Sequence, residues 1–375
     1  MSGIGPGRPE VRVLVVNAGS SSLKLRLLDG DDGLELERDL PVTNGRVDPD
    51  ALLDALAGQP PPDAVGHRIV HGGERYREAV RLDPGVLGDL QALAELAPLH
   101  QPAALAAAAV VVGVLPGVPA IACFDTAFHA TLTPAATTYA LPRAWRDRWP
   151  LRRHGFHGLS HAYAARRAAE LLGRPVAALH TVSCHLGAGA SLCAIAGGRS
   201  VDTTMGFSPL EGLVMATRSG SVDPGLLLWL LERQRLPPAM VARTLEHESG
   251  LYGLAGTADM QEVLERVEAQ DADATLALDV YVHRLRAGIA AMAIAMDGLD
   301  ALLFTGGVGE RAAHVRAATA DGLMSLGVAL HPERNAAAGG DADVSADGAP
   351  VRSLVVAARE DLQIAAEVRT LLARP

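Results

Sequence analysis

Val13-Leu-Val-Val-Asn-Ala-Gly-Ser-Ser-Ser-Leu-Lys-Leu-Arg-Leu-Leu28 sets two apolar, β-type runs on either side of a polar turn. Gly19 supplies the positive-φ conformation that a tight turn needs and lets the backbone approach a ligand closely. Ser20, Ser21 and Ser22, with their backbone N–H groups, form a row of donors suited to phosphoryl oxygens, and Lys24 adds a point charge. A Walker A loop would open a helix here, whereas this chain continues into a second strand. A plain hairpin with a soluble turn satisfies the same residues, so this stretch alone leaves both readings open.

A second segment repeats the plan. Val182-Ser-Cys-His-Leu-Gly-Ala-Gly-Ala-Ser-Leu-Cys-Ala-Ile195 is again a strand, a Gly/Ser turn and a strand, near the start of the second half of the chain. Paired hairpins that clasp phosphates in this way resemble the openings of the two domains in actin, hexokinase and the heat-shock chaperones. At 375 residues the chain exceeds one ordinary core, so two domains are expected. Strand-like runs at Val11–Val16, Leu23–Leu28, Ala64–Val70, Val118–Cys123, Thr181–Leu186, Ser191–Ile195, Ala301–Thr305 and Arg352–Ala358 alternate with helical patterns, as in an α/β protein. The helical patterns lie at Asp50–Ala57, Gly85–Ala97, His161–Leu172, Pro224–Arg235, Ala258–Ala269, Ala272–Met296, Arg311–Leu326 and Leu362–Ala373. Asp31–Gly45 and Gly339–Pro350 read as surface loops.

Composition narrows the partners. Five Phe, five Tyr and three Trp are too few for a stacking platform, and a net charge of −10 without a basic run argues against nucleic acid. Cys123, Cys184 and Cys193 make no CxxC pair or disulfide framework, which fits a reducing cytoplasm. The first ten residues lack a signal-peptide pattern, and the apolar run Ala103–Val114 is too short to span a bilayer. The expectation is a cytoplasmic protein with no membrane partner.

Five further motifs carry chemistry. His67-Arg-Ile-Val-His-Gly-Gly73 places Arg68 in an apolar strand, where a guanidinium suits a carboxylate or phosphate. Phe124-Asp-Thr-Ala-Phe-His129 puts Asp125 just past a strand end, either as a helix cap or as an acid in a site. Arg153-His-Gly-Phe-His-Gly-Leu-Ser-His161 holds three histidines. With no Cys or acidic cluster beside them, they read as donors to an anion rather than zinc ligands. Asp202–Pro224 is rich in glycine and hydroxyls and presents Arg218 as a second cation. Thr305-Gly-Gly-Val-Gly-Glu-Arg311 is a glycine turn between a strand and a helix, a weak signal by itself. Reading it as a dinucleotide site, and the protein as an oxidoreductase, lacks the early Gly-rich turn and the downstream acid that such a fold needs.

Together these segments resemble the acetate/propionate kinase family, in family order from Val13 to Ala366. The resemblance implies an α/β, two-domain actin-like ATPase fold of the kind shared by acetate and sugar kinases, heat-shock chaperones and actin. That fold has a duplicated mixed-sheet core and an active site in the interdomain cleft. It places a first domain at 11–127 with a returning helix at 360–375, and a second, nucleotide-binding domain at 128–359. It implies reversible phosphoryl transfer from ATP, with Mg²⁺ or Mn²⁺, to acetate or another short-chain carboxylate, yielding acetyl phosphate and ADP, by a homodimer. By carry-over, Asn17 and Glu360 hold the metal, Arg68 binds the carboxylate, Asp125 is the active-site acid, and His157 and Arg218 stabilise the transition state. Val70, Leu99, Phe156 and Pro209 form the methyl pocket. Lys24, His185, Leu186, Gly187, Ala188, Gly189, Asp259, Met260, Gln261, Gly307, Val308, Gly309, Glu310 and Arg311 contact the nucleotide.

The chain departs from the family pattern at the donor side. Ala188 replaces an Asn, Gln261 stands where an Arg is usual, and Arg311 and Arg359 lie where Asn is frequent. The first two changes leave open a different phosphoryl donor, such as another nucleotide or pyrophosphate, or a non-catalytic nucleotide-binding regulator. Propionate or butyrate preference also stays open, because one methylene is worth only about 1–3 kcal/mol in a pocket.

Overall fold

The computed structural model describes residues 11–18, 22–42, 47–97 and 101–374. The chain divides into two compact units, one of residues 1–130 and 359–375 and one of residues 131–358.

The first unit opens with the hairpin β1 (Val13–Ala18) and β2 (Ser22–Leu28), continued by β3 (Leu34–Pro41). Helix α1 (Pro49–Leu56), β4 (Ala64–Ile69), the short β5 (Val80–Arg81), α2 (Pro84–Ala92), α3 (Gln101–Val114) and β6 (Ala120–Phe124) follow. Proline at the first turn and an aspartate cap start both early helices: Asp48 accepts from the Asp50 N–H, and Asp83 from the Val86 N–H. The strands lie in the order β3-β2-β1-β4-β6-β5, with β1, β4 and β6 parallel.

The second unit begins with α4 (Pro134–Thr137), α5 (Arg143–Arg148) and α6 (Gly158–Leu172), then the meander β7 (His180–Leu186), β8 (Ala190–Ala196) and β9 (Arg199–Thr203). Helices α7 (Pro224–Glu232), α8 (Pro238–His247), α9 (Gly250–Ala255), α10 (Met260–Glu268) and α11 (Ala272–Ala295) lead to β10 (Ala301–Thr305). The unit closes with α12 (Gly306–Arg311), α13 (Ala313–Asp321), α14 (Pro332–Ala337), β11 (Ala342–Asp343) and β12 (Arg352–Val355). Its strand order, β9-β8-β7-β10-β12-β11, repeats the first sheet position for position, again with an antiparallel three-strand meander beside parallel central strands. The last helix, α15 (Glu360–Leu372), returns to the first unit. It packs so closely that a side chain at Gly66 of β4 would lie 2.5 Å from Ile364 and 2.9 Å from Val368.

Several elements differ from the sequence reading. The loop expected at Asp31–Gly45 contains β3, an edge strand in which only Leu36 is buried. Its charged residues guard an open edge and so read as loop. The loop expected at Gly339–Pro350 contains β11, and β9 and α8 were not foreseen. The helix expected over Arg311–Leu326 begins earlier and breaks. Gly306 enters α12 at φ +78°, the glycines are themselves helical, and α13 starts at Ala313. Among the described residues, no helix is long and apolar enough to cross a membrane.

Candidate active site

In the first unit the site residues gather at the ends of β1, β4 and β6. Arg68 points from β4 and Asp125 follows β6 by one residue. The two form a bidentate pair, with Nε donating to Oδ1 at 3.1 Å and Nη2 to Oδ2 at 2.7 Å. Asn17 Oδ1 accepts from Arg68 Nη1 at 3.3 Å, and Asn17 Nδ2 lies 3.4 Å from Glu360 Oε2, the first residue of α15. Glu360 is 3.8 Å from Arg68 Nε. Burial works to lower the Arg68 pKa, but the carboxylates of Asp125 and Glu360 outweigh it and hold the guanidinium firmly charged. Burial lifts Asp125 above the ordinary carboxylate range, Arg68 pulls it back, and Glu360 adds to the rise. Asp125 takes the side-on pair of the guanidinium fork, so the end-on N–H groups of Nη1 and Nη2 face away from it. Val70, just past β4, is buried. Lys24 is exposed on β2 directly opposite Asn17. Leu99, expected in the methyl pocket, lies outside the described residues, as do Gly19, Ser20 and Ser21.

The second unit assembles a histidine–hydroxyl relay. Ser183 Oγ is 2.9 Å from His161 Nδ1, and His161 Nε2 is 2.8 Å from Ser191 Oγ, which lies 2.9 Å from His157 Nδ1. The ring of His157 stacks on that of His185 at 4.2 Å, and His185 Nδ1 is held by Ser160 Oγ at 2.8 Å. His157 sits at φ +57° as the cap of α6, an unusual conformation for a residue with a side chain and a mark of a functional constraint. Sequence reading took His161 with its two neighbours as a donor to an anion, whereas it is buried with both ring nitrogens engaged by serines, and it assigned no role to Ser160, Ser183 or Ser191. The signal was present, since residues 157, 160 and 161 share one face at the start of a helix.

Gly189 brings the two predicted transition-state groups together. A Cβ at that position would lie 3.3–3.4 Å from the His157 imidazole and 3.5 Å from Arg218 Nη1. Arg218 Nη1 also donates to the Pro209 carbonyl at 3.3 Å, which ties that predicted pocket residue to the cation. Burial lowers the Arg218 pKa, opposed by Glu246. Phe156, next to His157, is wholly buried.

A cavity of about 620 Å³ in the second unit is lined by eight of the predicted nucleotide contacts: Gly187, Ala188, Asp259, Met260, Gln261, Gly307, Val308 and Arg311. Tyr281 also lines it, its hydroxyl buried without a hydrogen-bond partner among the described residues. Three other predicted contacts have partners within the unit. Leu186 is buried in β7, Gly309 packs on Phe304, and Glu310 Oε1 accepts from the Ala358 N–H at 3.0 Å.

Two matching six-stranded sheets, a charged carboxylate-facing arginine in one unit and a His–Arg pair beside a nucleotide-sized cavity in the other define a kinase of the actin-like ATPase fold. A family model described as the acetokinase family matches residues 50–366. The acetate kinase of Leifsonia xyli subsp. xyli is 47% identical over 94% of this chain and 97% of its own length. The propionate kinase of Citrobacter rodentium is 41% identical over 95% and 96%. The crystal structure of Porphyromonas gingivalis acetate kinase matches with a TM-score of 0.89 at 33% identity, covering 96% of this chain and all of that one. The chain belongs to the acetokinase family, phosphotransferases whose acceptor is a carboxyl group.

Proposed function

We propose that this protein transfers the γ-phosphoryl group of ATP to the carboxylate of acetate, giving acetyl phosphate and ADP, and runs the reverse reaction. The reading is carried by the convergence of His157 and Arg218 on Gly189, two donors with no side chain between them. Phosphoryl transfer needs alignment and charge neutralisation more than covalent help. Arg68, held side-on by Asp125 and touched at Nη1 by Asn17, presents the far end of its guanidinium to the acceptor carboxylate and orients one oxygen as the nucleophile. His157 and Arg218 donate to the phosphoryl oxygens as charge develops. Two proton orders satisfy the hydroxyl–imidazole relay. In the productive one Ser183 donates to His161, His161 to Ser191 and Ser191 to His157 Nδ1, leaving the proton on His157 Nε2.

The residues fit a magnesium ion. Glu360 offers a hard carboxylate donor and Asn17 an amide oxygen, which in this structure accepts from Arg68 Nη1 while the amide nitrogen faces Glu360 Oε2 at 3.4 Å; Mg²⁺ takes few protein ligands and would keep water and phosphate oxygens as the rest. Such an ion neutralises phosphate charge. The cavity favours ATP over pyrophosphate as donor despite Ala188 and Gln261, since about 620 Å³ with apolar walls at Met260 and Val308 suits a nucleoside. Three buried cysteines, none of them in a disulfide, support a cytoplasmic setting. Helix α7 buries none of its residues and exposes Leu226, Leu228 and Trp229, which supports association with a second copy.

The test is ADP release by the purified protein with Mg²⁺-ATP and acetate, propionate or butyrate in turn. The expected order of kcat/KM is acetate, propionate, butyrate. ATP binding without turnover on any acceptor would instead make the protein a regulator.

A further inference from the structure

Residues 204–223, between β9 and α7 in the second unit, carry no helix or strand, yet Pro209 and Arg218 lie on them. A segment of that length needs ties to its surroundings if it is to present side chains in fixed positions. The half that carries Arg218 is stitched by backbone bonds to α8 and the start of α9. Ser219 N–H donates to the Leu245 carbonyl and Ser249 N–H to the Thr217 carbonyl, both at 3.0 Å, and Leu251 N–H to the Met215 carbonyl at 2.9 Å.

The half that carries Pro209 is held by side chains instead. The Tyr139 hydroxyl accepts from the Phe207 N–H at 2.8 Å and donates to Glu211 Oε2, so one phenol oxygen closes residues 207–211 into a loop with Pro209 at its middle. Arg153 takes the other carboxylate oxygen, Nη2 to Oε1 at 2.8 Å, while its Nη1 donates to the carbonyls of Thr203 at 3.1 Å and Thr204 at 3.0 Å. Its guanidinium also stands over the Tyr139 ring, 5.8 Å from the centre. Burial and the bond to Glu211 push the Tyr139 pKa up to about 12, so the phenol keeps the proton it donates. A Cβ at Gly206 would collide with the Glu211 carboxylate and the Tyr139 hydroxyl. The Pro209 carbonyl, in turn, accepts from Arg218 Nη1 at 3.3 Å. A guanidinium holds its N–H groups in one rigid plane, so shifting one acceptor re-aims the others.

We infer that Tyr139 is a positioning residue for phosphoryl transfer: by tying Phe207 to Glu211 its hydroxyl fixes the Pro209 carbonyl, and that carbonyl aims Arg218. Arg153 holds Glu211 for the same purpose. The inference rests on the reading that Arg218 donates to the phosphoryl group, which the Arg218 variant tests by itself.

The experiment compares the wild type with Tyr139→Phe, Glu211→Ala, Arg218→Ala and the double variant Tyr139→Phe/Arg218→Ala, reading kcat, ADP binding by calorimetry and thermal melting. Tyr139→Phe keeps the ring beneath Arg153 and removes only the tie. Its kcat should fall about tenfold, part of the roughly 10²-fold that a misplacement of about 1 Å can cost. Glu211→Ala opens the same loop from its other end and should lose at least as much. ADP affinity should be unchanged in both, because none of residues 207–211 lines the nucleotide-sized cavity. In the Arg218→Ala background Tyr139→Phe should have no further effect, since its action passes through the missing guanidinium. Three results overturn the inference: an unchanged kcat in Tyr139→Phe, a double variant slower than Arg218→Ala alone, or a melting shift that accounts for the lost activity. Near-normal turnover of Arg218→Ala would overturn the reading of Arg218 itself. An inactive Arg218→Ala beside a normal Tyr139→Phe would refute only the positioning role.

Discussion

Lowering the pH from 7 to 5 is expected to destabilise the first unit chiefly through two buried histidines. His67 lies in β4, 1% exposed, and neither ring nitrogen has a partner among the described residues. Burial pushes its pKa down from 6.5 to about 4. His71 is likewise lowered to about 4 by burial, and its Nδ1 accepts from the Gly73 N–H at 2.8 Å, which needs an unprotonated nitrogen. The folded pKa lies below the unfolded one, so the neutral form favours folding. The stability is complete above about pH 6.5 and is lost as pH falls toward 4. At pH 5 the unfolded imidazole is almost fully charged while the folded one is not, which costs about 2 kcal/mol per histidine relative to pH 7. Both together remove about 4 kcal/mol from a typical stability of about 5–15 kcal/mol. All three tryptophans (Trp145, Trp149 and Trp229) lie in the second unit, so their fluorescence is the wrong probe. Hydrogen exchange of β1 and β4 amides reads the right region. His67→Met, which keeps the bulk and removes the titration, should recover about half of the acid loss. If exchange protection falls equally with pH in the wild type and this variant, the reasoning fails.

Arg218→Ala should lower kcat by about 10²–10³ with an unchanged melting temperature, the usual loss for one transition-state donor; near-normal turnover would remove Arg218 from the mechanism. Asp125→Ala leaves the Arg68 guanidinium without its bidentate partner and should cost about 3–5 kcal/mol in chemical denaturation. Gly66→Ala drives a methyl group into Ile364 and Val368, for a loss of about 1–3 kcal/mol and a raised KM for acetate as α15 shifts. Ser191→Ala breaks the relay at its middle, and its effect should fall on kcat while ADP binding is retained.

The parts of the molecule that were legible in sequence are those where one residue type has one physical use. The Val13–Leu28 and Val182–Ile195 hairpins were readable because apolar runs around a Gly/Ser turn admit few other structures. Arg68 was conspicuous as a cation in an apolar strand. Asp125 was harder: its position past β6 fitted a cap equally well, and its contact with Arg68, 57 residues away in sequence, leaves no local pattern. The relay through His161 and Ser191 joins residues 30 apart and leaves no local pattern beyond helical spacing. Edge strand β3 was missed because the charges that protect an edge are the charges that mark a loop. Glu310 was assigned to the nucleotide by its motif, and its bond to Ala358 spans 48 residues, beyond any periodic signal.

The duplicated topology explains why two unlike chemistries appear at matching places. In the first hairpin Asn17 pairs with Lys24, one step before the turn; in the second, His185 pairs with Ser191 at the same step. The neighbouring parallel strand comes up beside each, β4 next to β1 and β10 next to β7, with Thr305 opposite His185. Backbone geometry therefore offers each unit the same vantage: a hairpin tip, a parallel strand end and a following loop. The first copy filled it with carboxylates, an amide and an arginine, which suit a metal and a carboxylate. The second filled it with imidazoles and hydroxyls beside Gly189, which suit donation to phosphoryl oxygens. The same backbone scaffold thus carries a carboxylate–guanidinium set in one unit and an imidazole–hydroxyl set in the other.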